Sequence, residues 1–103
     1  MSGANPYRGE ASLQVAGAAI VLRPSFAALV AAEGELGPLF ALVERAAEGR
    51  LALSEIAALF DHLSSKRPEG ITRDAIGEAI VEQGLAGVTP TLRMVLGQIL
   101  QGR

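Results

Sequence analysis

No cysteine occurs among the 103 residues, which excludes a disulfide, a thiolate zinc site and a cysteine nucleophile. Tryptophan is also missing and aromatics are scarce. The core therefore has to be assembled from Leu, Ile, Val and Ala, with Phe26, Phe40 and Phe60 expected as its large pieces. No apolar run approaches the roughly 20 residues a membrane-spanning helix needs, so no membrane partner is expected. Met1 to Glu10 lacks the apolar stretch of a secretory signal, so the protein is expected to be cytoplasmic where it is made. Positive charge is not in excess either: the formal net charge is -2. Lys66-Arg67 is the only adjacent basic pair and is expected in a solvated loop, which argues against nucleic acid as a partner.

What is present points to helices. Half of the residues are hydrophobic, and Ala and Leu dominate them, residues that lose little side-chain freedom in a helix. The length suits one domain. Residues 1–9 read as a flexible lead, with Asn5-Pro6 as a turn signal, and residues 10–103 as a single domain. Ala11, Leu13 and Val15 alternate with Ser12 and Gln14, a strand period with one apolar face. A second apolar run, Ala18 to Arg23, follows Ala16-Gly17, and Gly17 accepts positive φ, so a tight hairpin is expected. Pro24 ends the second strand because it has no ladder donor.

Five helices follow in the pattern. Ser25 is placed to cap the first, which Gly37 closes. Pro38 opens the second in its first turn, and Gly49 ends it. Ser54 is expected to cap the third, with Leu53 and Ala58 as a hydrophobic staple and Ile56, Leu59, Phe60 and Leu63 inward. Thr72 caps the fourth, with Ala75, Ile76, Ala79 and Ile80 inward. Gly84 and Gly87 mark a loop, and Thr89-Pro90 is expected to start the fifth. The expected fold class is α+β and mostly helical, an N-terminal β-hairpin packed on a bundle of about five short helices. A lone hairpin is marginal in water and has to lay its apolar face on the helices.

Chemistry-bearing residues are few. His62 is the single histidine. Asp61 precedes it directly, so the two side chains diverge on a helix, and Ser65 lies three residues on. Without a buried acid on the far ring nitrogen this is no triad, and the plain reading is a helix-end histidine near the C-terminal dipole. Asp74, Glu78 and Glu82 form a stripe that oxygen chemistry would allow to hold a divalent cation. That stripe lies opposite Ile76 and Ile80, where a solvated face belongs. Glu44 and Glu48 share a face in the same way. A calcium loop starting at Asp61 fails at its ligand positions, which hold Leu63, Ser65, Lys66 and Thr72. No phosphate-cradling glycine motif is present. No catalytic, cofactor-binding or metal-binding residue is assigned, and the protein is not expected to be an enzyme. What remains is apolar surface. The last helix carries Leu92, Val95, Leu96, Ile99 and Leu100, with Met94 off the stripe and a thinly charged far side of Arg93, Gly97 and Gln101. Those five residues are the candidate partner-binding face; the competing reading is an ordinary core helix.

Four segments in order resemble one family. They are Asn5-Pro6-Tyr7-Arg8-Gly9-Glu10 leading into a hairpin whose turn ends in Gly17; Leu22-Arg23-Pro24-Ser25-Phe26-x-x-Leu29 followed by Glu33 and Gly37; Glu48-Gly49-Arg50-Leu51 before a helix led by Ser54; and the late Gly84-Leu85 break. Together they are similar to the gene transfer agent proteins grouped with phage tail-assembly chaperones, over about residues 5–100. The chain departs from the pattern in carrying Ala16 where such hairpins tend to carry Asp. The resemblance implies a chaperone of a phage-like particle, from a gene transfer agent or prophage, in the cytoplasm of the producing bacterium. Its implied partners are the tape-measure protein, whose apolar helices it would shield, and the tail-tube protein, with a homo-oligomer allowed. The alternative is a structural tail component, a tube or connector subunit that stays in the particle.

Overall fold

In a computed structural model, residues 11–64 and 66–102 are described. The order is a two-stranded hairpin, β1 (Ala11–Val15) and β2 (Ala18–Leu22), followed by α1 (Phe26–Leu36), α2 (Leu39–Ala47), α3 (Leu53–Leu63), α4 (Arg73–Gln83) and α5 (Leu85–Gln101). The expected mostly helical α+β architecture is the one found. The lead over residues 1–9 lies outside the described residues.

The hairpin follows from the alternation. Ala11, Leu13 and Val15 are buried, whereas Ser12 and Gln14 face outward. The strands pair antiparallel from Ala11↔Leu22 to Val15↔Ala18, leaving Ala16 and Gly17 as the turn. Both turn residues have positive φ, 50° and 81°, as the right-handed twist of the strands requires of a two-residue connection. Ala16 thus bears the strain of a left-handed backbone. Replacing Ala16 with Asn, which tolerates that conformation, is expected to stabilise the domain by about 0.5–1 kcal/mol. A thermal melt followed by circular dichroism should rise by a few degrees, and a fall would refute the strain argument.

The buried face of the hairpin packs on α3, α4 and α5. The outer edge of β1 is also occupied: Gln83 Nε2 donates to the Gln14 carbonyl at 2.8 Å, and Thr91 Oγ1 lies 3.5 Å from that of Ser12. At the end of β2, the Arg23 N–H donates to the Leu63 carbonyl. The centre of the domain is α3, in which Ile56 to Phe60 and Leu63 are all buried. Helices α1 and α4 pack on either side of it.

Helix ends explain most boundaries. Ser25 Oγ and Thr72 Oγ1 accept the N–H of Ala28 and Ala75, as expected of caps. Gly37 closes α1 with φ 88°. After α2, the N–H groups of Gly49 and Arg50 turn back to the carbonyls of Ala46 and Arg45, the paired bonds of a glycine-terminated helix.

Four expectations need correction. Pro38 is the cap of α2 rather than its first helical residue. Helix α3 begins two residues early, at Leu53. Its cap residue is Ala52, which has no side-chain acceptor; instead its own N–H donates to the Glu55 carboxylate at 2.9 Å, and the Ser54 hydroxyl does not cap the helix. The flanking apolar pair moves with the boundary, to Leu51 and Ile56, which line one cleft. The fifth helix starts at Leu85, so Gly87 and Pro90 lie inside it. Burial of Val88 at 1% exposure holds this added turn. Pro90 withdraws only the bond that Ala86 would have received, while Thr89 Oγ1 donates to the Leu85 carbonyl at 2.7 Å. Finally, of the three phenylalanines only Phe60 is in the core; Phe26 and Phe40 are 84% and 78% exposed. α1 meets its neighbours through Ala28 and Ala32, and small residues let backbones approach at the expense of the large ones, which are left outside.

Candidate protein-interaction face

The polar residues singled out in the sequence form a brace. Asp61 and His62 are adjacent on α3, but Glu35 from α1 and Arg73 from α4 join them. His62 Nε2 donates to Glu35 Oε1 at 2.7 Å, Arg73 Nη2 donates to Glu35 Oε1 at 2.8 Å, and the same nitrogen lies 3.0 Å from Asp61 Oδ2. On its other side Asp61 pairs with Arg67 at 2.6 Å. Arg67 also donates to the Ile71 and Asp61 carbonyls and to Ser64 Oγ. The expected solvated basic loop is therefore half wrong: Lys66 is exposed, whereas Arg67 folds back to hold the α3–α4 connection. Ser65 lies outside the described residues.

Hydrogen bonds from Arg73 and then from His62 pull the Glu35 carboxyl down to about 2. The Ala52 N–H and the Arg45 guanidinium lower that of Glu55. A depressed carboxyl stabilises the fold above its unfolded value and loses that contribution as pH falls through its folded value. The share due to Glu35 is thus complete at pH 5 and is lost between about 4.5 and about 2. Comparing the acid unfolding of wild type with Glu35→Gln checks this. Their stability difference should shrink as pH drops through that window, and a constant difference would refute it. Every member of the brace is paired with another member, which suits joining three helices. Asp74, Glu78 and Glu82 are exposed on α4. Among the described residues, no three His, Asp or Glu side chains are grouped to hold a metal ion.

The five candidate residues of the last helix are divided. Val95 and Leu96 are core residues, Leu92 and Ile99 are half-buried against that core, and Leu100 is 50% exposed. The stripe is therefore chiefly the seam by which α5 joins the domain, and only its end reaches the surface. There, Leu100 and Ile99 meet Glu33, Leu39, Phe40 and Val43 around a cleft of about 190 Å³. On α1, Phe26 and Val30 are exposed one turn apart, on the side away from Ala28 and Ala32. Large apolar side chains are thus exposed on α1 (Phe26 and Val30), on α2 (Phe40) and at the end of α5 (Leu100), the last two around one cleft.

The sequence reasoning missed this face by assigning Phe26 and Phe40 to the core. One signal was available. α1 is apolar nearly all round, and such a helix needs cover on more than one side. No single helix among the described residues is long and apolar enough to cross a membrane; α1 and α2 reach that length only together and are bent by 74° at their junction.

No curated protein and no solved structure matches the chain. A family model does, described as phage tail tube protein, GTA-gp10, and it spans residues 8–102. The hairpin, the brace and the exposed apolar face all lie within that span, and the chain belongs to this phage and gene transfer agent tail family.

Proposed function

We propose that this protein is a structural component of a phage-like tail, a tube or connector subunit, that binds other tail proteins through the outer surface of α1 and α2. The carrying observation is that two of its three phenylalanines stand almost fully exposed on that surface. Aromatic side chains bring more buried area to an interface than any other residue, and a few of them dominate its energy. Exposed together with Val30 and Leu100, they are an unfavourable arrangement in water that a neighbour would relieve. The family description supports a place in the tail itself. The double change Phe26→Ser with Phe40→Ser is expected to keep the fold and to abolish tail formation. Mass spectrometry of purified particles should find the wild-type chain in stoichiometric amounts.

A second reading is favoured by one observation. The only sheet among the described residues is a hairpin of two five-residue strands, and side chains of α4 and α5 occupy the outer edge of β1. A ring of subunits joined strand to strand cannot run through that edge. Under this reading the protein is an assembly chaperone made in the producing bacterium. It covers the apolar helices of a tape-measure protein by helix-in-groove packing and helps recruit tube subunits. Weak sites on many copies would hold a long client by avidity and still release it. Absence from finished particles, together with co-purification with a tape-measure fragment, selects this reading. A deletion that leaves tail yield and length unchanged sinks both.

A further inference from the structure

A second surface adjoins the brace, two of whose members, Glu35 and Arg73, line it. Between α3 and α4, closed at one end by Glu35 and Leu36 of α1, runs a groove of about 960 Å³. Its floor is made of Ala57, Ala58 and Gly77. A methyl group at Gly77 would sit 3.9 Å from Ala57 Cβ, an ordinary contact. The glycine is therefore not required for α4 to pack on α3, and its effect is to keep the floor low. Leu53 and Val81, 41% and 59% exposed, stand at the rim. The two helices are 11 residues each, about 16 Å, so the groove accepts three turns of a third helix.

The walls carry four carboxylates, Glu35, Glu55, Asp74 and Glu78, against the single guanidinium of Arg73. Arg73 is already committed to Glu35 and Asp61, and Glu55 to Arg45. Asp74 and Glu78, one turn apart on α4, make no ion pair among the described residues and face an apolar floor. An occupant that suits both features has an apolar stripe and a basic flank. No helix of this chain qualifies, since none carries more than one Lys or Arg, so a second copy does not supply it. We propose that the α3–α4 groove binds an amphipathic helix of another protein that bears lysine or arginine beside its apolar stripe. This inference does not depend on which role in the tail is correct.

The test uses the whole chain, labelled with nitrogen-15 and titrated with a synthetic leucine–lysine amphipathic helix of about five turns. Amide shifts are expected at Leu53, Ala58, Gly77 and Val81. Asp74→Lys with Glu78→Lys should weaken binding by about tenfold or more. Gly77→Leu, which raises the floor, should do the same. Glu82→Lys, one turn further along the same helix and outside the groove, should weaken binding clearly less than the double change. The peptide with glutamate in place of lysine should not bind. Shifts confined to α1 and α2, equal binding of the glutamate peptide, or equal loss with Glu82→Lys would each overturn the proposal. The charge changes lie on exposed positions, so the experiment survives if Gly77→Leu fails to fold.

Discussion

Phe60→Ala is expected to lower the unfolding free energy by about 3–5 kcal/mol, the usual cost of truncating a buried aromatic. Phe60 has no exposed surface and lies on the helix against which α1 and α4 both pack. A cavity there is walled by elements that cannot collapse onto it without moving the whole bundle. Against a total stability of about 5–15 kcal/mol for a domain of ordinary size, the loss is enough to shift denaturation to much lower urea. Phe26→Ala and Phe40→Ala remove the same atoms but should change stability by no more than about 0.5 kcal/mol. The contrast separates a core aromatic from an interface aromatic. Urea unfolding of the three variants, followed by circular dichroism, measures it. Equal losses at all three positions would mean that Phe26 and Phe40 are covered in the isolated protein.

Val95→Asp is expected to cost about 3–5 kcal/mol or to prevent folding, because it places a carboxylate without a partner in an apolar interior. Val95 is fully buried. Leu100→Asp, little more than a turn further along α5, puts the same charge on a residue that is half exposed, and there the fold should be spared. Leu100 also lines the cleft with Phe40, so Leu100→Asp is expected to weaken partner binding at the α1–α2 face. Far-ultraviolet circular dichroism alongside a pull-down with other tail proteins reads both effects. A folded Val95→Asp protein of normal stability would mean that α5 is less firmly packed than its burial indicates.

The divided fate of these five residues shows what hydrophobic spacing conveys. Leu92, Val95, Leu96, Ile99 and Leu100 mark one face of a helix, and that face does turn inward. Periodicity states which side of a helix is apolar; it does not state where the neighbouring element ends. Leu100 lies at the edge of its cover, half exposed beside the cleft it shares with α1 and α2, and that depends on how three helices cross. The start of the same helix was misplaced for a related reason. Thr89-Pro90 is a strong local start signal, but burying Val88 outweighs the single backbone bond that Pro90 removes, and the helix extends back to Leu85.

The brace of Glu35, Asp61, His62, Arg67 and Arg73 was legible only in part. The charges were visible, and His62 at a helix end was foreseen. Their convergence was not, because the partners lie 27 and 38 residues apart for Glu35 with His62 and with Arg73. The α3–α4 groove was likewise invisible, since its floor is defined by what Ala57, Ala58 and Gly77 do not fill.

By itself the sequence determined the hairpin, the number of helices, the caps at Ser25 and Thr72 and the absence of cysteine chemistry. Each of these depends on neighbours within a turn or two, where alternation, capping hydroxyls and left-handed glycines act locally. Only the tertiary structure decided which apolar residues are covered. Phe26, Phe40 and Phe60 have the same side chain and the same tendency to leave water. What separates them is whether another helix crosses above, and on α1 it is the small residues Ala28 and Ala32 that are buried.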